Sequence, residues 1–396
     1  MAHSKRKNPS AEIKRKERGL GRPLPIKTKP ILWQKWSKFM TRHELALQKL
    51  KEGTVIPATP LALNEDRTIN EKGVRLLMNY YLNSGVGGIA TAVHTTQFEI
   101  RDPEVGLFEP ILKIVSEEID IFEKENDKVI IKVAGVCGPI EQAVAEANLA
   151  KKYGYDAVLL SPGGLNHMSE DYLIERTKAV AAVMPVIGFY LQTAVGGRVF
   201  TYDYWQKVCA VDNVVAIKVA SFNRYTTLDV ARAAATSPRA DEITLYTGND
   251  DSIVIDLLTK FEFNENGKTY TKRFEGGLLG HWTMWTKNVV DMLAEIKSVR
   301  DKDAIPARFL TLAAQVTDAN GVFFDAAHGF AGCIPGVHEL LRRQGLMENI
   351  LCLNPDETLS LGQAEEITRV CNAYPHLNDD DFIKEHIASW KSKVGM

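Results

Sequence analysis

Between residues 53 and 298 short apolar, β-rich runs alternate with longer amphipathic stretches, and this rhythm leaves few folds open. The candidate strands are 54–62, 88–93, 129–135, 157–162, 185–191, 214–220, 242–248 and 276–280. Helical spacing of apolar residues fills the gaps, as in 140–152 and 171–183. Strands that are apolar on both faces belong to parallel sheets covered by helices. Eight such units in about 250 residues predict a closed (β/α)8 TIM barrel rather than a doubly wound open sheet.

Three regions follow. Residues 1–50 form an N-terminal arm, basic from Lys5 to Lys29 and ending in Pro23, Pro25 and Pro30. Trp33, Trp36 and Phe39 are candidates to dock it. Residues 51–300 form the barrel, and residues 301–396 a C-terminal region of three or four helices, including 338–344 and 363–374. Residues 261–274 read as a β-hairpin around Asn266-Gly267, on the N-terminal face of the barrel.

Charge and composition exclude several classes. Lys and Arg number 48 against 50 Asp and Glu, so the body has no bias toward nucleic acid. No apolar run is long enough to span a membrane, and no secretory signal opens the chain, so a cytoplasmic protein is expected. The five scattered cysteines read as reduced thiols. No G-x-G-x-x-G follows a strand, and no histidine–carboxylate pair lies at a strand end, so neither a nucleotide cofactor nor a metal is expected.

In such a barrel the chemistry projects from C-terminal strand ends. Strand six ends in Ile217-Lys218-Val219-Ala220. A lysine within an apolar strand is paired, desolvated toward its neutral form, or snorkelling at the rim. The neutral amine is what attack on a carbonyl requires. Strand five ends in Phe189-Tyr190, whose phenol can move a proton or simply pack. Strand two ends in His94-Thr95-Thr96-Gln97, where hydroxyls and backbone N–H groups suit a carboxylate or merely shape the turn. Gly248 and Asn249 follow strand seven and allow close backbone approach, although Asp250 and Asp251 would repel a phosphate.

These segments resemble the dihydrodipicolinate synthase / N-acetylneuraminate lyase family. The similarity lies in the first strand from Gly53, in the threonine turn at Thr95 and Thr96, in Tyr190 placed 28 residues before Lys218, and in the loop from Thr247 to Asp251. The resemblance implies a Schiff-base-forming lyase or aldolase that acts on a 2-oxo acid such as pyruvate and an aldehyde-type partner. Lys218 would form the imine and Tyr190 would relay protons. Thr95, Thr96, His94 and Gly248 would bind substrate. It also implies a homo-oligomer, commonly a tetramer.

Departures accompany the likeness. His94 and Gln97 replace the glycines that flank the family's threonine turn, and Ser161-Pro162-Gly163-Gly164 replaces its Pro-Tyr-Tyr. His94 or His167 is a candidate for the missing relay. Arg198 lies near the family's carboxylate-binding arginine but in shifted register. These changes argue against a true dihydrodipicolinate synthase. They leave open a dehydratase of a sugar-derived acid, or a barrel that keeps only a ligand pocket.

Overall fold

The computed structural model describes residues 40–396. The basic stretch and Trp33, Trp36 and Phe39 lie outside the described residues. The predicted barrel is present. Strands β1 (Val55–Pro57), β2 (Gly88–Thr91), β3 (Ile131–Val136), β4 (Ala157–Leu160), β5 (Val186–Leu191), β6 (Val214–Ala220), β7 (Thr244–Thr247) and β9 (Lys268–Leu279) are all parallel, in the order β1-β9-β7-β6-β5-β4-β3-β2. The bridge between Ala58 and Ala90 joins the two ends of that order.

Two apolar layers form because each strand is buried on both faces. Ile131, Val133, Leu159, Ile187, Phe189, Ala216 and Leu278 fill the barrel interior. Ile217, Val219, Tyr190 and Leu245 face outward onto the helices. The helices are locally specified. Asn223 caps Arg224–Thr236 by accepting from the N–H groups of Tyr225 and Thr226. Gly85, at a φ of 92°, ends Glu71–Ser84 in the left-handed region.

Two boundaries differ from expectation. Helix Arg42–Glu52 begins with a capping box of Thr41 and Glu44 and sends Ala46 and Leu50 into the barrel's lower end. There the Tyr246 hydroxyl donates to the Leu50 carbonyl at 2.8 Å. Asp156 holds this helix through Arg42, at 2.5 Å. Part of the expected arm is therefore a plug for the barrel. The hairpin around Asn266-Gly267 forms between β8 (Lys260–Glu265) and β9, but its second arm does not stop. It runs on as the eighth barrel strand, so the strand expected at 276–280 is only the end of β9.

The C-terminal region is four helices, Arg308–Phe323, Cys333–Arg343, Gln363–Ala373 and Asp380–Lys393. It shares the outer apolar layer with the barrel. Asp379 pins it there, accepting from the Tyr80 hydroxyl at 2.8 Å and the Lys287 N–H at 3.0 Å. Among the described residues no helix is long and apolar enough to cross a membrane.

Candidate active site

At the C-terminal end of the barrel Lys218 reaches into a narrow cavity of about 70 Å³. Its walls are mostly apolar and aromatic, with Phe189, Leu191, Phe222, Phe324 and Phe330 among them. A groove of about 580 Å³ lies between helices Thr286–Val299 and Arg308–Phe323, but it contains no lysine or cysteine nucleophile. The smaller cavity is the candidate site, because it holds the lysine.

Lys218 is buried, and its amine lies 4.4 Å from the centre of the Phe189 ring. Among the described residues it makes no ion pair. Burial therefore holds the amine below the ordinary lysine range, while the charge of Asp250 works the other way. Gly248 is what lets the stem lie flat. A Cβ at that position would stand 2.7 Å from Lys218 Cε and 2.9 Å from Ala220 Cβ. The Gly248 N–H donates to the Val219 carbonyl at 2.7 Å, which ties the loop after β7 to the lysine strand.

Asp250, on that loop, lines the same cavity. It is buried, and its Oδ1 has no hydrogen-bond partner. Burial raises its pKa; the charge of Lys218 opposes the rise and that of Asp251 adds to it. The loop is braced from behind by Asp256. That carboxylate accepts from Arg224 at 2.5 Å, Thr247 at 2.7 Å and Asn249 at 2.9 Å. Asn249 in turn accepts from the Phe222 N–H at 3.0 Å.

The expected substrate turn divides. His94 and Thr95 line the cavity. Thr96 is turned away, its hydroxyl donating to the Thr59 carbonyl at 2.7 Å, so its side chain braces the turn and does not face the cavity. Burial, with the charge of Lys218 second, pushes His94 down to about 4, so its imidazole is neutral near pH 7.

Tyr190 requires the larger correction. Its ring faces the outer layer, stacked on Trp205 at 5.3 Å and set edge-on to Phe200 at 5.6 Å. Its hydroxyl accepts from the Phe200 N–H at 3.3 Å. The residue paired with Lys218 is Phe189, while Tyr190 pairs with Val219. An irregularity between Val186 and Ile187 shifts the register of β5 against β6. A shift of one residue changes which face a side chain occupies. Arg198 and His167 are also absent from the cavity. Arg198 donates to the carbonyls of Asn166 and Met168, and His167 is exposed.

Tyr190→Phe therefore separates two expectations. A proton relay at this position would cost about 10²-fold or more in turnover. The geometry instead predicts turnover within a few-fold of the parent and a stability loss of about 1 kcal/mol for the missing hydrogen bond. Steady-state kinetics and thermal unfolding on one preparation check both.

Sequence reasoning missed the C-terminal contribution. Phe324, Phe330 and Cys333 close the cavity from outside the barrel. Phe330 meets Phe222 edge-on at 5.9 Å. Both have left-handed backbones, at φ 72° and 50°, as do Ala92 and Gln97 around the threonine turn, at 57° and 70°. Each such residue costs on the order of 1–3 kcal/mol, and such strain gathers at functional sites. Among the described residues no group of three or more His, Cys, Asp or Glu is placed to hold a metal ion.

Comparison with known proteins agrees with this architecture. The profile of the dihydrodipicolinate synthetase family matches residues 51–259. A 4-hydroxy-tetrahydrodipicolinate synthase of Clostridium novyi is 26% identical over 193 residues, 48% of this chain and 60% of the relative. The chain thus spans less than two thirds of that relative's length. A homologous synthase of Methanosphaera stadtmanae is 25% identical over 213 residues, 53% of this chain and 67% of its own. Among solved structures, dihydrodipicolinate synthase from Oceanobacillus iheyensis superposes with a TM-score of 0.65 at 15% identity, covering 85% of this chain and 100% of that one. N-acetylneuraminate lyase from Fusobacterium nucleatum gives 0.62 at 14%, covering 82% and 99%. At these identities the structural likeness speaks for the fold.

Proposed function

The chain belongs to the dihydrodipicolinate synthetase family, and from that premise we propose that it is a class I lyase or aldolase forming a Schiff base between Lys218 and the ketone of a 2-oxo acid such as pyruvate. One observation carries the reading. Lys218 is a buried amine that makes no ion pair among the described residues, at the C-terminal end of a barrel strand, facing a narrow cavity. Burial of that amine costs stability, and a neutral lysine nucleophile is its chemical return.

The protonated imine withdraws electrons from C3, so a proton is lost or a carbon–carbon bond is made or broken there. An aldehyde-type partner is the second substrate. The Thr95 hydroxyl, on the cavity wall, suits the carboxylate of the 2-oxo acid. The aromatic walls keep water from the intermediate. The narrow cavity favours a small 2-oxo acid over a sugar-derived acid. Phe189 stands beside the amine where a relay tyrosine was expected, and this argues that the protein is not a 4-hydroxy-tetrahydrodipicolinate synthase.

Borohydride reduction in the presence of pyruvate tests the reading. The expected result is a stable pyruvyl adduct, located at Lys218 by peptide mass. If no 2-oxo acid in a panel labels the protein, the reading fails. The rate of adduct formation has a pH signature. An ordinary lysine titrates near about 10.4. Lys218 is displaced downward, so a larger fraction is neutral at any given pH. The rate is expected to rise with pH and level off below that ordinary value. A midpoint at or above it would contradict the role given to burial.

A further inference from the structure

With Tyr190 on the outer face, imine chemistry at Lys218 needs another proton carrier. The titratable groups that line the cavity with Lys218 are His94, Asp250 and Cys333, with Asp251 next in the chain. His94 is pushed down to about 4, too weak a base to hold a proton near neutrality. Cys333 is raised well above the ordinary thiol range by burial, with nearby carboxylate charges adding to it, and so does not release one. Asp251 is not among the residues that line the cavity; burial raises its pKa, with the charge of Arg224 opposing the rise and that of Asp256 adding to it. Asp250 remains. It is buried, its Oδ1 is unpartnered, and its loop is fixed by Asn249 and Asp256.

We propose that Asp250 carries the protons of the reaction at Lys218, in place of the tyrosine hydroxyl expected from the sequence. This rests on the imine reading above. The neutral Lys218 amine attacks the ketone carbon, forming the C–N bond and leaving negative charge on the carbonyl oxygen. Asp250 passes one proton from the nitrogen to that oxygen. It then gives its own proton to the hydroxyl, the C–O bond breaks, and water leaves. The products are a protonated imine and the Asp250 carboxylate. That carboxylate takes a proton from C3, giving a neutral enamine and the carboxylic acid again. When the enamine attacks an aldehyde, the acid protonates the new alkoxide, and the carboxylate again faces an iminium.

Burial fits both halves of the cycle. The acid form of Asp250 and the amine form of Lys218 are each favoured by desolvation, while the charge of each opposes the other's shift, so the two groups titrate as a pair away from their solution ranges. A carboxyl group raised toward neutral pH is suited to both giving and taking a proton.

The test uses the full chain and pyruvate as probe, with exchange of the pyruvate methyl protons in D2O followed by NMR. Wild type is expected to exchange and to trap at Lys218. Asp250→Asn is expected to retain slow trapping at Lys218 but to lose exchange by on the order of 10²–10⁴-fold, with the pH dependence of exchange changed in shape. Asp250→Ala is expected to recover exchange when formate is added. A merely structural role would not give that rescue, and only folded protein can show it. No trapping in wild type would overturn the imine reading and this proposal with it. Trapping in wild type with exchange in Asp250→Asn within a few-fold overturns this proposal alone. So does the absence of formate rescue in an Asp250→Ala protein whose unfolding transition matches wild type.

Discussion

Lys218→Ala is expected to abolish adduct formation with every 2-oxo acid and to lower turnover by on the order of 10⁴-fold or more, the scale on which enzymes lose rate with their nucleophile. The protein is expected to be no less stable. The alanine removes an amine that is buried without an ion pair and leaves Phe189 and the Gly248 backbone in place. Removing a desolvated, unpaired polar group recovers the cost of burying it. Activity and stability should therefore move apart, a pattern that a structural lysine would not give. Lys218→Arg is the companion variant. Its guanidinium stays protonated, so it keeps the charge and cannot attack a ketone. Borohydride trapping, kinetics and thermal unfolding of the three proteins decide the matter. Residual trapping in Lys218→Ala, mapped to another lysine, would remove Lys218 from the reaction.

Asp256→Ala is expected to act in the opposite sense, losing stability first. This carboxylate is fully buried and collects Arg224, Thr247 and Asn249. Arg224 is 42% exposed and rehydrates when the partner goes, so its share of the loss is small. Thr247 and Asn249 are buried and keep donors without an acceptor. Each unsatisfied buried group costs on the order of 1–3 kcal/mol, giving a total near ~3 kcal/mol. Activity follows because Asn249 also accepts from the Phe222 N–H, so one network holds both a cavity wall and the Asp250 loop. Denaturant unfolding measures the loss. Asp256→Asn, which keeps one acceptor, should fall between parent and alanine. A loss under ~0.5 kcal/mol for alanine would show that the network contributes little.

Much of this site is legible in the sequence, and the failures have physical causes. Strand 214–220 has the expected limits, and Lys218 stands out because a lysine interrupts an otherwise apolar run. Helix 140–152 also has its expected limits. Tyr190 fails for a reason built into parallel barrels. Each strand is apolar on both faces, so alternation carries no signal of inside or outside. The local register of β5 against β6 then decides the face, and no residue type announces it. Asn266-Gly267 announces the hairpin turn, but nothing in the composition says that the second arm continues into the barrel. Phe324 and Phe330 come from a region with no motif, and only the run Gly329-Phe330-Ala331-Gly332 hints at unusual backbone. The burial of Asp250 is a tertiary property; its sequence context reads as an ordinary acidic loop.

Strand β9 has a consequence for how the molecule assembles. A barrel closes only when its first and last strands meet, a contact between segments far apart in the chain, and such contacts slow folding. Here the last strand is born with a neighbour. Its first half zips to β8 across a two-residue turn, an event of about 1–10 μs for isolated hairpins. The pairing with β8 gives the closing strand a local partner that does not depend on the closed barrel. The rest of β9 then needs only to extend from an aligned end to meet Val55, Ile56 and Pro57. Weakening the turn at Asn266-Gly267 should slow refolding more than it speeds unfolding, making a surface loop remote from Lys218 a determinant of how quickly the cavity comes into being.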